Sequence, residues 1–390
     1  MSRIFTAFFL LLLPYSILDA RPKVCLNMIV KDEEQVIKRC LENVKPLIDY
    51  WVIVDTGSTD ATQDIVKAVM HDVPGELHQS TWTNFGVNRT EAIRLVDGKA
   101  DYVLFMDADD WLAYEKGYQL PELTKDAYQM WRGSETFSYL KPQLVKTDLS
   151  WKWIGATHEY LTCDSRYSSE VLAGLKYVCG YDGARSRDPK KFLHNVKMLE
   201  DELKTDPTNH RNMFYLAESY RDARNPRKAI ECYQKRVDMK GWQEEVYWSL
   251  FQIALLKYEQ KDDTDSVIEA FNRAHRYRPH RSETYYYLAQ IYNQSGQYAL
   301  AYECLKGREY LPKPAAKDIL FNIDWIENWG IPYQLARSTC YLGRCEESLE
   351  LCDRLLAMPN LPADFREQVN IFVSLSQKRS QTAGLKGSKS

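Results

Sequence analysis

The chain has 390 residues, enough for two domains with sizeable cores. Its net charge of −3 gives no polybasic footprint, which excludes nucleic acid as the expected partner. The nine cysteines are odd in number and lack paired C-x-x-C spacing, which argues against a zinc site or a disulfide framework.

At the N-terminus Arg3 precedes a mostly apolar stretch, Ile4 to Leu18, interrupted by Pro14. The stretch falls short of the roughly 20 residues of a spanning helix, so residues 1–20 are expected to be a signal peptide or a short membrane anchor. These leave two compartments open, the secretory pathway or a membrane-associated position.

From Pro22 strands and helices alternate. Val24-Cys25-Leu26-Asn27-Met28-Ile29-Val30 reads as a buried strand. Asp32-Glu33-Glu34 opens a helix with carboxylates in its first turn, and Val36, Ile37, Cys40, Leu41 and Val44 form its apolar stripe. Tyr50 to Val54 is the second strand, and Ser58 or Thr59 is expected to cap a helix running to Met70. Glu76 to Trp82 reads as a third strand, Asn84 to Val96 as a helix and Tyr102 to Met106 as the fourth strand. This alternation implies a largely parallel sheet in an α/β domain over residues 22–195.

The fourth strand ends in Asp107-Ala108-Asp109-Asp110. In an extended chain residues i and i+2 face the same way, so Asp107 and Asp109 present both carboxylates on one side. Two hard oxygen donors at the carboxyl edge of an open α/β sheet suit a divalent cation carrying a diphosphate.

Beyond residue 195 the pattern becomes helical. Leu216-Ala217 and Tyr220 return as Leu288-Ala289 and Tyr292, with Tyr247 to Leu250 and Val267 to Phe271 between them. Leu216 to Leu250 and Val267 to Ala301 are each 34 positions, and the surplus falls in the polar segment Lys261-Asp262-Asp263-Thr264. The period matches tetratricopeptide (TPR) repeats, stacked helical hairpins assigned to residues 196–376, with a degenerate last unit around Leu335 to Leu356. Residues 377–390, rich in Ser, Lys and Gly, are expected to be disordered.

Taken together, Cys25 to Glu34, Val54 to Asp60, Asn88-Arg89 and Met106 to Asp110 resemble the GT-A-type family-two glycosyltransferases, in a branch with a C-terminal TPR array. The resemblance implies a metal-dependent inverting transferase that uses Mn²⁺ or Mg²⁺. The donor would be a nucleotide sugar, in first place a UDP-linked hexose or N-acetylhexosamine. The acceptor would be a hydroxyl or thiol on a saccharide, protein or peptide. Asp55 would bind the nucleoside, with Thr56 standing where many relatives have a second aspartate; Arg89 would lie near the base. Asp107 would contact ribose or metal, and Asp109 the metal. Glu159 would be the general base with His158 orienting it, and Arg185 and Arg187 would close over the diphosphate. Relatives often place a further metal-binding histidine before this loop, whereas the chain has Cys179-Gly180-Tyr181. Trp151 and Trp153 would either stack on a sugar or plug the domain interior. Asn88-Arg89-Thr90 is also a glycosylation sequon. The repeats would hold the acceptor or a homo-oligomer. The alternative from a different class is a transferase-like domain without turnover, serving as a TPR adaptor.

Overall fold

The computed structural model describes residues 21–134, 137–307 and 318–387. The leader or anchor expected at residues 1–20 lies outside the described residues, among which no helix is long and apolar enough to cross a membrane.

The first part is built from β1 (Val24–Val30), α1 (Ile37–Val44), β2 (Tyr50–Asp55), α2 (Thr62–Met70), β3 (Gly75–Gln79), α3 (Phe85–Arg94) and β4 (Tyr102–Phe105). There follow β5 (Trp111–Tyr114), β6 (Ala127–Gly133), β7 (Ser138–Lys146), β8 (Trp151–Ile154), β9 (Tyr160–Cys163), β10 (Ser169–Val171) and β11 (Leu175–Val178). The main sheet runs β3-β2-β1-β4-β7-β6-β11-β5, with β10 beside β6, and β8 pairs with β9 as a separate hairpin. The strands from β3 to β4 are mutually parallel, as their alternation with helices requires, whereas β7 runs antiparallel to both β4 and β6.

β1 is apolar almost throughout because both of its faces are covered. Val24, Leu26 and Met28 pack with Ile37, Cys40, Leu41 and Val44 of α1 and with Val66 and Met70 of α2. Cys25 points the other way, into a layer with Val52, Val103, Phe105, Trp151 and Trp153. Each such fully buried aliphatic side chain contributes about 1.5–3 kcal/mol. Both tryptophans are therefore interior plugs, not sugar platforms: Trp153 meets Phe105 edge-on at 5.0 Å, and the Trp151 indole N–H donates to the Lys146 carbonyl.

Two local expectations are corrected. The carboxylates at 32–34 precede α1, because Asp32 adopts φ 55° and the chain turns on the Glu33 carbonyl, which accepts from Val36 and Ile37. Neither Ser58 nor Thr59 caps α2, which starts at Thr62. The Ser58 hydroxyl instead accepts from the Asp32 N–H at 2.9 Å, and the Thr59 N–H donates to the Asp32 carboxylate at 2.7 Å.

The helical part comprises α4 (Ala184–Arg187), α5 (Lys191–Thr205), α6 (His210–Asp222), α7 (Pro226–Asp238), α8 (Gln243–Glu259), α9 (Thr264–Tyr277), α10 (Glu283–Gln294) and α11 (Tyr298–Leu305). It closes with α12 (Ile331–Leu342), α13 (Cys345–Leu356) and α14 (Ala363–Gly387). Leu216, Leu250 and Leu288 all lie in one core, which is what the 34-residue spacing demands of stacked hairpins. Residues 261–263 of the polar segment lie in the α8–α9 connection, where Lys261 takes φ 58° and Asp263 caps α9 through the Ser266 N–H. α5 begins at Lys191, inside the segment assigned to the α/β domain. The expected disordered tail is corrected over residues 377–387, where α14 continues to Gly387; residues 388–390 lie outside the described residues. Ser138 and Asn322 exchange two backbone hydrogen bonds, which ties β7 to the helical part.

Candidate active site

β4 leaves the sheet at Phe105, and the next residues turn rather than extend, with the Asp110 N–H donating to the Asp107 carbonyl at 3.1 Å. Alternation along a strand therefore does not govern the acidic cluster. Asp107 and Asp109 both line a cleft of about 400 Å³ at the carboxyl edge of the sheet, yet they meet different partners. Asp107 is clamped between two guanidiniums, Arg89 from α3 on one oxygen and Arg132 from β6 on the other at 2.7 Å. Burial alone would raise its pKa, but the two arginines outweigh it and hold the carboxyl far below its ordinary range. Asp109 forms no ion pair among the described residues, and one of its oxygens accepts from the Gly183 N–H at 3.2 Å. Burial, then the charge of Asp107, raises its pKa.

Asp110 sits deeper, 2% exposed, between the Gly180 N–H at 2.8 Å and Arg132 at 2.7 Å. Burial pushes its carboxyl up to about 7 against the pull of Arg132. Glu33, whose carboxylate accepts from the Ala184 N–H, is likewise pushed up to about 7 by burial, with Asp109 and Asp107 adding to it. Five carboxylates (Glu33, Asp107, Asp109, Asp110 and Glu159) and five cations (Arg89, Arg132, Lys141, Arg185 and Lys191) line the cleft, and Asp109 and Glu33 are the carboxylates among them held by a backbone N–H alone.

Across the cleft Glu159 lies 2.9 Å from the Arg89 guanidinium. It is 8% exposed, and burial favours its neutral form. Arg89 and Lys141 overcome that and keep its pKa below the ordinary value. His158 stacks face-on against Tyr215 of α6 at 4.2 Å and takes φ 51°. Burial lowers its pKa to about 4, so it is neutral near pH 7. Its carbonyl accepts two hydrogen bonds from Arg211, at 2.9 and 3.2 Å, so the first repeat helix fixes the segment that bears Glu159.

Arg185 enters the same cleft, lying over the Phe85 ring at 4.3 Å and donating to Asn195. Asp55, Thr56 and Arg187 do not line it. Asp55 is 1% exposed at the end of β2. One of its oxygens accepts from the Gly57 and Ser58 N–H groups, while Oδ2 is buried without a hydrogen-bond partner. The Thr56 hydroxyl donates to the Val30 carbonyl, and Arg187 donates to the carbonyls of Asp182 and Asp32. Asn88 of the sequon is fully buried, with its amide spent on Ser80 and Thr81.

Arg132, Lys141 and Tyr215 are cleft or support residues that the sequence did not disclose, because they come from β6, β7 and α6, far along the chain, and carry no local motif. Glu33 stands inside the Cys25 to Glu34 segment, but no cleft role is assigned to it from the sequence.

Among the described residues no three His, Cys, Asp or Glu side chains converge as a metal cage. Hard oxygens with a raised carboxylate pKa do fit Mg²⁺ or Mn²⁺, which bind through one or two carboxylates plus substrate phosphates. Asp109 is the oxygen donor free for that role; Asp107 has both oxygens committed to arginines.

The family model described as glycosyl transferase family 2 matches residues 25–131, which span β1 to β6 and the acidic turn. The α/β part is a glycosyl transferase family 2 domain. The SPbeta prophage-derived glycosyltransferase SunS of Bacillus subtilis is 22% identical over 230 residues, covering 56% of this chain and 54% of SunS. The chain thus spans about half the length of SunS. A TPR repeat-containing protein of Synechococcus elongatus is 26% identical over 313 residues, 74% of this chain and 75% of that protein. Among solved structures, a tetratricopeptide repeat protein from Parabacteroides merdae overlaps 49% of this chain and 70% of its own, with 14% identity and a TM-score of 0.37. The family 2 domain is followed by a helical part that resembles TPR proteins.

Proposed function

We propose that the chain is a metal-dependent inverting glycosyltransferase that moves a hexose or N-acetylhexosamine from a UDP-sugar to a hydroxyl or thiol of a protein or peptide. The observation that carries this reading is the shared cleft of the family 2 domain. The unpaired Asp109 carboxylate and Glu159, beside Arg89, line the same cleft, and Arg89 and Arg132 neutralise the charge of Asp107 there, which supports the reading.

Asp55 Oδ2, a buried acceptor without a partner, supports nucleoside binding at the end of β2, with Thr56 shaping that turn. Arg89 and Arg185 face the cleft as donors for the nucleotide and its phosphates, and Arg187 anchors the adjoining loop. Asp109 would hold Mn²⁺ or Mg²⁺ together with diphosphate oxygens and water. Such an ion supplies Lewis-acid neutralisation of the leaving group's charge.

The protein's own contribution is proton transfer and positioning. Glu159, kept ionised by Arg89 and Lys141, takes the acceptor's proton. The acceptor oxygen or sulfur then bonds to the anomeric carbon as the bond from that carbon to the phosphate oxygen breaks. The electron pair leaves with the nucleoside diphosphate, and the configuration inverts. Neutral His158, locked by Tyr215 and Arg211, orients the Glu159 segment. The test is UDP release from UDP-glucose and UDP-N-acetylglucosamine with Mn²⁺. Turnover in the wild type and its loss in Asp109→Ala support the reading; equal rates in both overturn it.

A further inference from the structure

A second groove adjoins the His158 segment. It holds about 580 Å³ between the β8–β9 hairpin, the end of α5 and the starts of α6 and α8. Thr157 and His158 wall both spaces, so the groove adjoins the cleft beside the segment that bears Glu159. Three large apolar side chains left open to solvent converge on it: Ile154 at 39% exposed, Tyr160 at 40% and Trp242 at 40%.

Four of the charged groups around them, Glu202, Arg211, Arg236 and Glu245, are already committed. Glu202 accepts from the Ala156 N–H at 3.1 Å and from the Asn212 amide at 2.7 Å. Arg236 pairs with Glu245 at 2.9 Å and donates to the Lys240 carbonyl. Arg211 spends its donors on the His158 carbonyl. A saccharide is recognised through several hydrogen bonds at once, and a site whose charged donors and acceptors are mostly spent internally offers few of them. What remains is an apolar recess with an aromatic wall, suited to an apolar side chain.

Resting on the proposed transferase activity, we propose that this groove is the acceptor subsite, and that its occupant is a polypeptide. The polypeptide seats an apolar side chain against Trp242 and Ile154 while a neighbouring hydroxyl or thiol reaches Glu159. The groove thereby selects the modified residue by its apolar neighbour.

The test uses two synthetic peptide pools, each member carrying one Ser and one Cys. They differ at a single varied position, Leu, Ile or Phe in one pool and Asp, Lys or Gln in the other. Transfer from UDP-sugars with Mn²⁺ is read by mass spectrometry, and binding of the labelled pools by fluorescence anisotropy. The variants are Trp242→Ala and Ile154→Gln, and calorimetric UDP binding must match the wild type in both. The wild type should bind and modify the apolar pool roughly tenfold better, the scale of one apolar group in a pocket. Either variant should bring the pools to within about twofold. Equal handling of the pools by the wild type, a preference that survives both variants, or modification of oligosaccharides alone would overturn the proposal. So would loss of a dimer in Trp242→Ala by light scattering, which would make the groove a contact between copies of the chain. Should UDP fail to bind at all, the transferase reading falls, and the anisotropy comparison still decides whether the groove takes an apolar peptide.

Discussion

Replacing Arg132 with leucine tests the electrostatic design of the cleft at its most buried point. One guanidinium nitrogen of Arg132 lies 2.7 Å from both Asp107 and Asp110, and its cation sits 4.2 Å over the Tyr177 ring. Asp107 would keep Arg89, but Asp110, whose side chain is 3% exposed, would keep only neutral donors, the Gly180 N–H and the Tyr177 hydroxyl. Breaking a buried pair by removing one partner costs about 3–5 kcal/mol. That is a large share of the roughly 5–15 kcal/mol by which a domain is stable. The penalty has a pH signature. A carboxyl whose folded pKa is raised, as Asp110 is to about 7, contributes stability below its unfolded pKa and loses it as pH rises through the folded value. Without Arg132 that loss deepens, because the unpaired carboxylate must either stay protonated or be buried charged. Urea unfolding of wild type and Arg132→Leu should show the full penalty near about pH 8 and a much smaller one near about pH 5. Arg132→Lys, which keeps the charge but cannot bridge two carboxylates in the same fork, should fall between them. A loss under about 1 kcal/mol at both pH values, or a larger loss in acid, would refute this account of the clamp.

Three further outcomes follow from the same cleft. Glu159→Gln should lower turnover about 10²–10⁴-fold while calorimetric UDP binding stays at the wild-type level. Lys141, whose own pKa burial lowers to about 8, helps keep Glu159 ionised, so Lys141→Met should move the acid limb of the pH–rate profile upward. An unmoved limb would remove Lys141 from that role. Glu33→Gln keeps an acceptor for the Ala184 N–H but deletes a carboxyl pushed up to about 7. The wild-type carboxyl is stabilising below its unfolded pKa and costs stability as pH rises through about 7. The variant should therefore be more stable by about 1 kcal/mol near about pH 8, after discounting for partial exposure, and no more stable near about pH 4. Thermal unfolding at the two pH values measures the difference.

The parts of this molecule that were legible in the sequence are those governed by local periodicity. The apolar run of β1, the stripe of α1 and the 34-residue return of Leu216 at Leu250 each force burial of one face, and the structure buries them. The acidic turn was legible because it follows the apolar strand β4 directly. Its geometry was not, because the turn after Phe105 is set by partners from elsewhere. Arg132 arrives from β6 and Tyr177, whose hydroxyl accepts from the Asp107 N–H, from β11. Antiparallel strands after β4 show no βα alternation to announce them. The support of His158 by Tyr215 and Arg211 was hidden for the same reason, since it links residues more than 50 positions apart. At residues 32–34 local preference was misleading, because the hydroxyls of Ser58 and Thr62 draw the backbone N–H groups of Asp32 and Glu33 away from a helical start.

The central claim is a nucleotide site built around Asp109, and calorimetric titration with UDP tests it most directly, with and without Mn²⁺, on wild type and Asp109→Ala. The account predicts binding that requires Mn²⁺ in the wild type and is lost in a folded Asp109→Ala. Absence of binding by the folded wild type, or binding indifferent to both Mn²⁺ and Asp109, would contradict it.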